Sequence, residues 1–142
     1  MLAEVCMRPV VTIERTASVR DAARLMRQKR VGALVVASHH RPKGIITDRD
    51  IAVAVVAEGL DPAEVPVGDV MQSNPAVIQG DKGILDAVKL LDAKGVRRLP
   101  VVDKRGDLIG IIALDDLLML LGTEMGHVAA ALSRSLGRRM IA

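Results

Sequence analysis

The feature that most limits what this chain can fold into is an internal repeat. Ser18-Val-Arg-Asp-Ala-Ala-Arg-Leu-Met26 and Gly83-Ile-Leu-Asp-Ala-Val-Lys-Leu-Leu91 superpose at a constant offset. Val19, Ala22, Ala23 and Met26 in the first stretch, and Ile84, Ala87, Val88 and Leu91 in the second, follow the spacing of one helical face. Both stretches therefore read as amphipathic helices. Ser18 with Asp21 three residues later reads as a capping box, whereas Gly83 offers a weaker start.

Each helix is followed by two short apolar runs: Ala33 to Ala37 and Gly44 to Thr47 in copy one, Leu99 to Val102 and Leu108 to Ala113 in copy two. These read as paired strands joined by turns, one around Pro42, Lys43 and Gly44, the other from Asp103 to Asp107 around Gly106. Extended segments, Val10 to Ile13 and Ala76 to Ile78, precede the helices, and a further helix follows each strand pair from about Asp48 and about Asp115. Each unit is thus β-α-β-β-α, and the fold class is α/β (α+β). Val5-Cys6-Met7 and Asp69-Val70-Met71 are read as matching starts of the two units. The expected division is residues 1–60 for unit one, 61–67 for a linker containing Pro62 and Pro66, 68–121 for unit two, and 122–142 for a helical tail. A three-stranded sheet with helices on one face leaves apolar surface that one unit cannot cover, so the two copies are expected to pack face to face about a pseudo-twofold axis.

Composition fits this plan and narrows the chemistry. At 142 residues, with 50% hydrophobic and 26% charged, the chain can bury a core. It has no Phe, Trp or Tyr, so Val, Leu, Ile, Ala and seven Met must fill that core, and no ring can stack on a base. Its 20 Lys+Arg against 17 Asp+Glu leave a net charge of only +3. The single cysteine, Cys6, cannot form an internal disulfide and suits a reducing compartment, so a cytoplasmic location is expected. No basic segment followed by an apolar stretch lies near Met1, and apolar runs such as Ile51 to Ala57 are too short to span a bilayer.

Gly44-Ile-Ile-Thr-Asp-Arg-Asp-Ile51 closing copy one, and Gly95-Val-Arg-Arg-Leu-Pro-Val-Val-Asp103 within copy two, give the repeat its signature. Over residues 3 to 121 the chain resembles a tandem pair of cystathionine-β-synthase (CBS) domains, the Bateman module. The resemblance implies a stand-alone regulatory module, not an enzyme, that binds an adenosine-containing ligand between its copies. AMP, ADP or ATP is expected, with NAD or S-adenosylmethionine as further choices and no other cofactor. It also implies a homodimer, and a regulated partner that the sequence does not name.

Thr47 and Asp50 stand between a strand and a helix, where a carboxylate can accept hydrogen bonds from a ribose diol. The same Thr-x-x-Asp spacing serves equally as a helix cap that needs no ligand. The resemblance turns the choice toward binding. It implies an adenine slot lined by Ile45, Ala76, Val77 and Val96, with Arg97 and Arg98 near the phosphates. Arg49, Arg97 and Arg98 offer guanidinium forks suited to phosphate, although strand alternation suggests that only one of Arg97 and Arg98 reaches in, and surface ion pairs with Asp92 or Asp103 are the alternative. The symmetry-related site would place Asp116 against Val10, Val11, Thr12, Val31, Gly32 and Ala33. There Ala113 replaces the threonine and Gly32 with Ala33 replaces the arginine pair, so this second site should hold phosphate poorly, and either accepts an adenosine moiety through Asp116 or is empty with Asp116 reduced to a helix cap.

His39 and His40, beside Arg41 and Pro42 in the first hairpin turn, read as solvated and not as a metal site, and Cys6 as a small buried residue, not a nucleophile. From Thr123 onward Met125, Val128, Ala129, Leu132 and Leu136 form an apolar stripe, with Arg134, Arg138 and Arg139 toward its end. That stripe is expected to pack on the module or on a second subunit. Neither a membrane surface nor nucleic acid is expected as a partner, since three arginines without aromatic anchors make a thin basic face. Two rival readings remain: a structural dimerisation module without a ligand, and a small metal-dependent nucleotide hydrolase using Asp48 and Asp50.

Overall fold

The computed structural model describes residues 1–6 and 9–141. Two sheets form the frame. In copy one, β1 (Thr12–Ile13), α2 (Val19–Lys29), β2 (Ala33–Ser38) and β3 (Arg41–Thr47) follow the short helix α1 (Leu2–Val5), and α3 (Asp48–Ile51) runs on as a π-helix over Ala52–Val56. In copy two, a 3-10 turn at Val67–Asp69 precedes β4 (Gln72–Ser73), β5 (Ile78–Gln79), α4 (Ile84–Lys94), β6 (Arg98–Val102), β7 (Leu108–Ala113) and α5 (Leu114–Ile141). The sheet orders are β1-β2-β3-β4 and β5-β6-β7.

The two long helices of the repeat form where the period placed them. Ser18 caps α2, its hydroxyl accepting the Asp21 N–H at 3.0 Å. At α4 the cap works from the other side, with Asp86 Oδ2 accepting the Gly83 N–H at 3.0 Å. Arg30 (φ 55°) and Gly95 (φ 62°) end these helices in the left-handed conformation that closes off the last carbonyls. Arg30 adopts it at a steric cost that Gly95 avoids.

Two local expectations are corrected. The first hairpin turns at His39 and His40 (φ 50° and 66°), exposed as expected, but the turn stops there and Pro42, Lys43 and Gly44 lie inside β3. Two consecutive positive φ values make the turn type whose twist suits a hairpin. Pro42 sits opposite Ala37 beside a register shift between Val36 and Ala37, where a missing N–H is tolerated. The second correction concerns the sheets. Copy one has four strands, because β4 crosses from beyond the linker and pairs antiparallel with β3 at Gly44↔Ser73 and Ile45↔Gln72. Gly44 permits this approach: a Cβ there would meet Met71 Sδ at 2.5 Å and the Gln72 carbonyl oxygen at 3.0 Å.

The two cores are built by exchange. Leu2 and Cys6, at the start of the chain, are buried with Ile78, Ala87, Leu91, Leu99, Val101, Ile112 and Leu117 of copy two. Val67, at the start of copy two, is buried with Val19, Ala22, Met26, Leu34, Val36, Ile46 and Val55 of copy one. The hydrogen bonds repeat the swap with an offset of 65 residues. Leu2 N–H reaches the Lys82 carbonyl (2.9 Å) as Val67 N–H reaches that of Ala17 (2.7 Å), and Ala3 N–H reaches Gly80 (2.9 Å) as Gly68 N–H reaches Arg15 (2.8 Å). The unit starts read from the sequence were one residue out of register, since Cys6, not Met7, is the counterpart of Met71. Met7 itself lies outside the described residues.

The last element departs from expectation too. The helix from Leu114 continues without a break through the 121/122 boundary to Ile141. Gly122 costs a helix interior about 1 kcal/mol relative to Ala, too little to stop a run flanked by good helix formers and free of Pro. Met125, Val128, Leu132 and Leu136 are all exposed and do not pack on the module. The side chains of Arg138 and Arg139 lie outside the described residues.

Candidate functional site

The end of β3, the strand β4 that crosses to it, and the start of β6 converge on a cleft of about 630 Å³ between the copies. Ile45, Thr47, Asp48 and Arg49 line it from copy one; Gln72 to Ala76 and Lys94 to Arg98 line it from copy two. Among the site residues read from the sequence, Thr47, Arg49, Ile45, Ala76, Val96, Arg97 and Arg98 are brought together here.

Thr47 and Asp50 form a reciprocal cap. The Thr47 hydroxyl accepts the Asp50 N–H at 3.1 Å while Asp50 Oδ2 accepts the Thr47 N–H at 2.9 Å. Gln72 adds its side-chain amide, which donates to Asp50 at 3.3 Å from each carboxylate oxygen. The carboxylate thus lies behind the cleft wall, reached through Gln72, which itself lines the cleft. Asp48 is exposed, accepts the Arg49 N–H at 2.8 Å, and donates its own N–H to the Gly32 carbonyl at 3.0 Å.

The lining is electropositive: Arg49, Lys94, Arg97 and Arg98 stand against one carboxylate, Asp48. Both arginines of the pair reach the cleft, because Arg97 precedes β6 and strand alternation governs only Arg98 onward. Arg97 is paired not with Asp92 or Asp103 but with Asp115 at 3.1 Å. With side chains 72% and 75% exposed, that pair is screened and exchangeable. Arg49, Lys94 and Arg98 form no ion pair among the described residues.

Val77 falls elsewhere. It is 40% exposed and lines not the cleft but a shallow groove with Ile78, Gln79, Lys82, Asp86 and Leu90. The sequence reading missed Gln72, Ser73, Asn74, Pro75, Lys94 and Gly95. Lys94 and Gly95 carried a usable signal, since the last residue of a helix and its left-handed cap fall at the mouth of the strand that follows. Gln72 to Asn74 carried none, because only their pairing with copy one brings them to the cleft.

The second set of residues is distributed differently. Asp116 lines a depression with Val5, Ile112, Met119, Leu120 and Thr123, whereas Val10 and Thr12 line another with Ile13, Glu14, Ala37, His39, His40 and Leu108. Val11 and Val31 pack on the core of copy one, Ala33 pairs with Thr47 across β2 and β3, and Gly32 bonds Asp48. Arg8 and Met7, which adjoin this region in sequence, lie outside the described residues. Ala113 gives α5 no side chain with which to repeat the cap at Thr47. The described residues contain no group of three or more His, Cys, Asp or Glu placed to hold a metal, and no described helix is long and apolar enough to cross a membrane.

A duplicated α+β unit closed on its twin, with a cationic cleft at the seam, defines a class that the comparisons identify. The CBS domain model matches residues 2–57 and 67–123, and the chain belongs to that family as a tandem pair. It is 39% identical over 108 residues to the CBS domain-containing protein YhcV of Bacillus subtilis, covering 76% of each chain. It is 39% identical over 118 residues to the uncharacterized protein MK0525 of Methanopyrus kandleri, covering 82% of this chain and 60% of that one. Among solved structures it is similar to the CBS domain protein PAE2072 from Pyrobaculum aerophilum complexed with AMP. The TM-score is 0.75 and the identity 28%, with 86% of this chain and 98% of that one covered.

Proposed function

We propose that this chain is a regulatory CBS pair that takes an adenosine-containing ligand, AMP, ADP or ATP, into the cleft between its copies. The observation that carries the reading is the convergence at one seam of three features: an apolar slot, a cap carboxylate and a cationic rim. Ile45, Ala76 and Val96 offer the flat apolar walls a purine needs in a protein without aromatic rings. Asp50, one residue behind the wall, accepts the ribose hydroxyls when the Gln72 amide swings aside. Arg49, Lys94, Arg97 and Arg98 receive phosphates, Arg97 by exchanging Asp115 for the ligand. The AMP complex of PAE2072 supports the choice of ligand class. Output then comes from differential affinity: the ligand favours one arrangement of the copies, and a partner protein reads that arrangement.

One observation favours a second reading, a module with no ligand. Asp50 has its hydrogen bonds met by Thr47 and Gln72 and needs nothing further. A thermal-shift panel of AMP, ADP, ATP, NAD and S-adenosylmethionine separates the two, using an extrinsic dye because the chain lacks Trp and Tyr. Ligand at a hundredfold excess over its dissociation constant stabilises the fold by about 2.7 kcal/mol, a rise of roughly 5–10 °C for a chain of this size. Asp50→Ala removes most of that rise and Asp116→Ala little of it. A flat panel on the wild type assigns the chain to the second reading, and equal losses in the two variants refute the asymmetry between the sites.

A further inference from the structure

We propose that the projecting half of α5 is an arm that pairs antiparallel with the same arm of a second copy of this chain. Leu114, Leu118, Leu121, Met125, Val128 and Leu132 recur at alternating spacings of four and three residues. That period of 3.5 keeps one stripe in line along a helix that supercoils with another. All six are exposed, from 37% at Leu121 to 68% at Leu118. Leu117, one position round the helix, is fully buried in the core of copy two, so α5 is anchored to the module by a different face and the stripe is left free. From Leu121 to Leu136 every residue is exposed. Gly122, Gly126 and Gly137 have only open space where a Cβ would stand, so none of the described residues covers the arm.

A lone helix of about 20 residues that contains three glycines is marginal in water, and pairing is the usual remedy. The charge order along α5 selects the occupant. Within the arm the acidic residue, Glu124, lies near the start and Arg134 lies ten residues further on, toward the end. Parallel copies would set like charge beside like. Antiparallel copies that cross near residue 130 set Glu124 of each arm level with residue 136 of the other, beside Arg134, with the helix dipoles also opposed. With the crossing near residue 130, Val128 meets Leu132 of the second copy, and residue 125 lies level with residue 135. The arm, about 30 Å long at ~1.5 Å per residue, is then fully overlapped, and the modules sit at its two ends. Such a pairing is twofold and closed, so it yields a dimer and not a filament. The family match ends at residue 123, so the arm is an addition to the module.

Sedimentation with interference optics tests this on the full chain. Val128→Glu combined with Leu132→Glu should halve the sedimenting mass and leave the melting temperature of the module unchanged, since both side chains are exposed. Disulfide trapping fixes the direction. In a Cys6→Ala background, mixing Met125→Cys with Ser135→Cys should give a crosslinked dimer, while Met125→Cys alone should not crosslink, its two thiols being about 15 Å apart along the axis. A crosslink from Met125→Cys alone overturns the antiparallel pairing. A mass unchanged by the glutamates, with no crosslink from the mixture, overturns the arm as a self-association site and gives the stripe to another occupant.

Discussion

At Asp50 a single carboxylate closes the first turn of α3 through Thr47 and holds the side chain of Gln72 across the cleft wall. The two duties can be separated by mutation. Thr47→Ala should cost about 1 kcal/mol in denaturant unfolding, the usual loss for an N-cap, and Thr47→Ser should restore most of it. Gln72→Ala should leave the cap intact and free the carboxylate, tightening the binding of AMP several-fold by isothermal titration. Weaker binding in Gln72→Ala would mean that the amide grips the ligand instead of competing with it. The Thr-x-x-Asp cap was legible because it is written within four residues. Gln72 was not, because it lies 22 residues further on and meets Asp50 only through a strand pairing that no local pattern announces.

Among the elements, those with a sustained period were readable and those without one were not. Both α2 and α4 repeat an apolar face over 11 residues, while β6 and β7 are legible as apolar runs on either side of the turn that Asp103 and Gly106 define. β4 has two residues and no period, so its transfer to the sheet of copy one left no trace in the sequence. The first hairpin turn reads as too long because Pro42 and Gly44 are strong turn residues, yet here they serve a bulge and a close strand approach. Val77 parts from Ala76 because it precedes the two-residue strand β5, where no period fixes which side a residue takes. The start of β6 also yields a prediction. Asp115→Ala should release Arg97 and strengthen ATP binding more than adenosine binding, with the gain shrinking at high salt. Its effect on stability should stay below about 1 kcal/mol, since both partners of the pair are largely exposed.

For the molecule as a whole, the exchange of leading segments matters most. Leu2 precedes every strand of copy one, yet it is fully buried in the core of copy two. Leu2→Ala should therefore destabilise the protein by about 2–5 kcal/mol, measured by urea unfolding, whereas the same change at exposed Leu85 should do little. The duplication of an α+β unit followed from the repeat alone. That each copy completes the other did not, because Leu2 and Val67 lie outside the helix and strand patterns that revealed the duplication.

An ancestor with one such half would have had a hook that fitted its own missing corner, and two identical halves could clasp before any gene fusion tied them together. The peptide between Gly59 and Leu60 is then a tether that the clasp does not need: cleaved there, the fragments should stay associated and melt in one step.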